Sequence, residues 1–151
     1  MKYIVSFNDE SELPYLIKYD FERAEEIIYD AELAIIQKHF DYADTRNYVI
    51  LYRCLRATLL LEKYVVHNYK EAYVHFCRLY IKTGIFPKEY GKNIKRIYWS
   101  MNRSLNQMYE SELPAVTKLN FREVRKYFNV MKDYCYKRLK INVSSKEDDS
   151  K

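Results

Sequence analysis

The chain has 151 residues, 48% of them apolar and 17% aromatic, which is ample material for one buried core. Only 2 glycines and 3 prolines punctuate it. That scarcity disfavours a many-turned β fold and, for practical purposes, excludes a Gly-rich phosphate loop of the P-loop or Rossmann kind. The formal net charge of +5 is unevenly laid out: residues 1–45 hold 4 basic and 11 acidic side chains, residues 46–140 hold 20 and 7, and the tail 141–151 holds 2 and 3.

The opening stretch to about Pro14 is acidic and poorly periodic, and its apolar run is too short for a signal peptide. Asp20 is a candidate N-cap, with Glu22, Glu25 and Glu26 favouring a first helical turn. Ile27, Ala31, Ala34 and Ile35 then recur at helical spacing and predict a helix over about 20–39. Tyr48, Tyr52, Leu55 and Leu59 form the stripe of a second, over about 42–66. A third is expected over about 69–83, with Lys82 in its last turn and Gly84 as a left-handed cap.

Pro87 suits the first position of a fourth helix, whose buried stripe would be Ile94, Ile97, Tyr98, Met101, Leu105 and Met108. Asn120 with Glu123 resembles a capping box and predicts a fifth helix to about 139, with Val124, Tyr127, Phe128, Met131 and Cys135 inward. The tail 141–151 is too polar to fold alone. These elements predict an all-α, antiparallel bundle of about five helices, forming a single domain over 1–140.

Several chemistries are absent. Cys54, Cys77 and Cys135 are far apart, which fits buried thiols in a reducing, cytoplasmic compartment and not a disulfide framework. His39, His67 and His75 lack partners at ligand spacing, so no metal and no cofactor is expected. No run approaches the roughly 18 apolar residues of a membrane span. Helix four keeps the strongest signal: Lys88, Lys92, Lys95, Arg96 and Arg103 face a single acid, Glu89, with Tyr90, Tyr98 and Trp99 interleaved. Basic side chains neutralise phosphates and aromatic rings stack unpaired bases. The competing reading is a solvated basic face with its aromatics turned to the core. The +13 carried by 46–140 fits a polyanion or an acidic protein face, and the acidic front could serve as that face within the chain or across a dimer.

Ala43, Arg46, Tyr48, Tyr52, Arg56, Ala57 and Leu59, in that order and spacing, resemble the second helix of HEPN domains (higher eukaryotes and prokaryotes nucleotide-binding). The stretch from Phe76 through Gly84 to Phe86, Pro87 and Lys88 is similar to the one before that family's fourth helix, so the resemblance covers about 20–140. It implies a HEPN-like bundle, a homodimer, and RNA, a nucleotide or a minimal nucleotidyltransferase antitoxin as partner. Ribonuclease members carry Arg, a polar residue, a few more residues and then His. Here Arg103 is followed by Ser-Leu-Asn-Gln-Met and Tyr109, with no histidine downstream. Arg103 would keep the electrostatic half of metal-independent cleavage, while a tyrosine, with an ordinary pKa near ~10, is a poor general base.

The preferred reading is therefore a HEPN-like binding module without full ribonuclease activity. The alternatives are a ribonuclease toxin with an altered motif built on Arg103 and Tyr109, and a protein-interaction module with no nucleic-acid role. In the toxin reading, Tyr109 would be the tyrosine that the nucleotidyltransferase adenylylates. The expected anion-binding side chains are Lys92, Arg96, Asn102 and Arg103: positions 92, 96, 99 and 103 project to one side of a helix and Asn102 flanks them. Tyr109 lies well around the helix, so it would need a second subunit or a distorted turn to share their cleft.

Overall fold

A computed structural model describes residues 12–106 and 114–140, including side chains except those of 102–106. The described residues include five α-helices: α1 Glu12–Ile36, α2 Phe40–Leu60, α3 Tyr69–Phe76, α4 Lys88–Asn106 and α5 Pro114–Leu139. A π-helical turn, Cys77–Ile81, continues α3 directly. The fold is an all-α bundle, with no strand among the described residues. No helix there is long and apolar enough to cross a membrane.

α2 is the axis, touching each of the other four helices. Its Ile50, Leu51, Leu55 and Leu59 are fully buried, together with Ile17 and Phe21 of α1, Ile94 of α4 and Met131 of α5. Tyr48 and Tyr52, expected in the same stripe, are half-buried at its edge. Asp20 of early α1 meets Arg53 and Arg56 of late α2, so those helices run antiparallel. Asn93 and Ser100 of α4 meet Tyr127 and Asn120 of α5 in reverse order, so these do too.

Three helix boundaries differ from the sequence reading. α1 reaches back at least to Glu12, because Leu13, Ile17, Phe21 and Ala24 extend the buried stripe backwards at helical spacing. Asp20 is thus an interior residue and not a cap. α2 ends at Leu60, short of 66, because Lys63 turns left-handed at φ 62°. There Lys63 N–H donates to the Leu60 carbonyl at 2.9 Å and Tyr64 N–H to Leu59 at 3.1 Å, a Schellman closure. α5 already includes Pro114, six residues before Asn120, whose side chain is buried in a bond to Ser100. The expected Asn120–Glu123 cap does not form.

Lysine takes glycine's place at three helix ends. Lys38, Lys63 and Lys140 follow α1, α2 and α5 at φ 63°, 62° and 59°. A cation there complements the helix macrodipole, which offsets part of the steric cost of the left-handed region. This lets so glycine-poor a chain stop its helices. Gly84 does act as expected, at φ 80° after the π turn.

Tyrosine fills much of the core. Burial requires a partner for each hydroxyl. Tyr69 donates to the Ile94 carbonyl at 2.8 Å and Tyr80 to the Thr58 carbonyl at 2.8 Å, while the Tyr127 hydroxyl accepts from Asn93 Nδ2 at 2.6 Å.

Candidate functional site

α4 divides its side chains between three neighbours. Ile94, Ile97 and Met101 enter the core, as the periodicity predicts. The Leu105 side chain, Met108 and the tail 141–151 lie outside what is described. On the opposite side Lys88, Lys92, Lys95 and Trp99 stand at offsets 0, 4, 7 and 11, so they share one face, and all four are exposed. Trp99 is 54% exposed, although it is the one tryptophan in the chain.

The third side packs against α5 and takes Arg96 with it. Arg96 Nε donates to Asn120 Oδ1 at 3.0 Å and Nη1 to Asn93 Oδ1 at 2.6 Å. Its Nη2 is buried without a partner. Asn120 Nδ2 in turn donates to Ser100 Oγ at 3.1 Å. Arg96 therefore ties α4 to α5, and an anion would have to compete with two asparagines for it. Of the four expected anion-binding residues, only Lys92 is an exposed cation among the described side chains. Asn102 and Arg103 are in α4 by backbone but outside the described side chains, and Tyr109 lies outside the described residues.

Beside the basic face, α3 and α4 enclose a cleft of about 330 Å³. α3 contributes Lys70, Tyr73 and Val74, which the sequence reading missed. Val74 is exposed although apolar, and its spacing from Lys70 was a faint signal, since an apolar residue at helical spacing normally reads as core. α4 contributes Lys95, Tyr98 and Trp99. Behind them the rings are layered: Tyr98 stacks on Tyr69 at 5.3 Å and Tyr69 on Tyr48 at 4.7 Å. Burial raises the Tyr69, Tyr73 and Tyr48 hydroxyls above the ordinary tyrosine range, so they stay protonated and add no negative charge.

A second cluster, between α1 and α2, also escaped the sequence reading. Asp20, with its side chain 4% exposed, accepts from Arg53 Nη1 at 2.9 Å, Arg56 Nε at 3.1 Å and Arg56 Nη2 at 2.6 Å. One acid of the acidic front is thus neutralised within the chain by the basic segment. No group of three or more His, Cys, Asp or Glu among the described residues is placed to hold a metal ion. No protein-family model matches the chain, and no curated protein matches it.

Proposed function

We propose that this chain is a HEPN-like helical module that binds RNA or a nucleotide through the outer face of α4 and does not cleave it. The observation that carries the reading is the exposed row Lys88, Lys92, Lys95 and Trp99, a cationic face with an aromatic ring at its end. Lysines on a rigid helix neutralise successive phosphates, and an exposed tryptophan offers a stacking surface. Against cleavage stands the composition downstream of Arg103, which contains no histidine. The three unpaired cysteines suit a reducing, cytoplasmic setting.

Self-association belongs to the same proposal. Tyr15, Tyr19, Tyr29, Leu33 and Ile36 lie along one exposed side of α1, interrupted by Glu22 and Glu26. A second copy of this chain fits that stripe, since its own basic segment complements the acids.

The test is a paired assay of RNA binding and RNA cleavage by the wild type and Arg103→Ala. Binding without cleavage by either form is expected. Cleavage by the wild type that disappears in Arg103→Ala would replace this reading with a ribonuclease of altered motif. Absence of binding at low salt would leave the protein-interaction module.

A further inference from the structure

We infer that the cleft between α3 and α4 seats one unpaired base of a single nucleic-acid strand, with the strand's phosphates on Lys70 and Lys95. This rests on the proposal that α4 faces nucleic acid, and it specifies which form of nucleic acid is preferred.

The walls have the right shape. The rings of Tyr98 and Trp99 meet at 76°, with centroids 6.0 Å apart, so they make an open corner. A flat ring laid on one wall presents its edge to the other, the two arrangements that aromatic rings favour. The corner is braced from behind. Tyr98 rests on Tyr69, which is 2% exposed, and the Tyr69 hydroxyl is fixed to the Ile94 carbonyl at 2.8 Å. For Tyr98, little side-chain freedom remains to be lost on binding.

The charge selects an anionic ligand. Lys70 and Lys95 stand on opposite helices at the lips, and among the described residues no carboxylate lines the cleft. A cationic ligand over these rings would be repelled by the two lysines. A purely apolar ligand would leave them unused. A base joined to phosphates satisfies both the rings and the ammonium groups. The volume of about 330 Å³ falls at the lower end of the range for small-molecule sites and is sufficient for one base. Bases inside a duplex already stack on one another and cannot enter.

Trp99 supplies the readout, because it is the chain's one tryptophan and its fluorescence reports this corner alone. The full-length protein is titrated at low salt with a short oligoribonucleotide, its blunt duplex, an abasic strand of equal charge, and a mononucleotide. Only the base-bearing single strand should quench Trp99 strongly. Affinity, read independently by anisotropy of the labelled strands, should favour the single strand, and Trp99→Ala should cut the single-strand-to-duplex ratio roughly tenfold. Trp99→Phe, which keeps a stacking ring, should restore part of it. Equal binding of strand and duplex with unchanged Trp99 fluorescence would overturn the base site while leaving the α4 phosphate face intact. A mononucleotide binding as tightly as the strand would overturn the strand as occupant. Absence of binding to any probe would overturn the α4 reading itself.

Discussion

Replacing Asp20 by Asn should be among the most damaging single polar substitutions in this protein. The carboxylate is 4% exposed and accepts three hydrogen bonds from Arg53 and Arg56. Asparagine keeps the size and removes the charge, leaving two guanidinium groups facing each other across a nearly dry gap. Removing one partner of a buried ion pair costs about 3–5 kcal/mol. Arg53 and Arg56 are 22% and 33% exposed, so water relieves part of the penalty. Each also lies near a ring, Arg53 over Tyr19 at 5.8 Å and Arg56 over Tyr52 at 5.5 Å. The lower end of the range applies, about 3 kcal/mol. At about 2–4 °C per kcal/mol for a chain of this size, Tm should fall by about 6–12 °C. Urea unfolding followed by circular dichroism measures the loss directly, with Glu26→Gln as control. Glu26 pairs with Arg23 in the open, so its loss should cost less than about 0.5 kcal/mol. A loss below about 1 kcal/mol for Asp20→Asn, or one equal to the control, would refute the argument that burial makes this pair matter.

Lys38→Gly should stabilise the protein by up to about 1 kcal/mol, because Lys38 sits at φ 63°, a region that costs a side-chain-bearing residue about 1–2 kcal/mol. A destabilised variant in the same urea assay would show that the lysine's charge at the α1 terminus outweighs the strain. Stability should fall as pH rises above about 9. Burial pushes the Cys135 thiol and the Tyr136 hydroxyl up to about 12, so between the unfolded and folded values the folded chain holds protons that the unfolded chain releases. An unfolding midpoint that stays flat from neutral pH to about 11 would contradict this. Sedimentation at high micromolar concentration should find a dimer that weakens with salt, if the acids on α1 meet the basic segment of a second copy. A species near 18.5 kDa under those conditions would remove self-association.

The helical class was legible because it rests on periodicity sustained over many turns, which a few misjudged residues do not erase. Boundaries were not, because a short motif carries no record of its surroundings. Two Asn-x-x-Glu segments show this. Asn68 does cap α3, accepting from Glu71 N–H at 2.8 Å. Asn120 has the same pattern three residues before Glu123, yet Val116 and Thr117 continue the helical face upstream and draw it into the interior. The Asp20 pairing was hidden for a similar reason: its partners are more than thirty residues away, and an acid near a candidate helix start reads locally as a cap. At the candidate site, the cationic half could be read from α4 alone. The contribution of Lys70, Tyr73 and Val74 depends on how α3 lies across α4, which no spacing within one helix encodes. Arg96 shows the opposite failure. Its position on the helix is right for the basic face, but a long side chain can fold back, and here Asn93 and Asn120 hold it against α5.

The central claim is that the outer face of α4 carries phosphates, and counterion release measures that most directly. The affinity for a single strand is determined across a salt series, between about 50 and 200 mM, for the wild type and for a variant with Lys88, Lys92 and Lys95 all replaced by Ala. These side chains are exposed, so the bundle should be undisturbed. Each phosphate contact on a single strand contributes about 0.7 to the slope of log affinity against log salt. The account predicts a slope shallower by about 2 in the variant, with weaker binding at every salt concentration. An unchanged slope and affinity would place the phosphates elsewhere and contradict it.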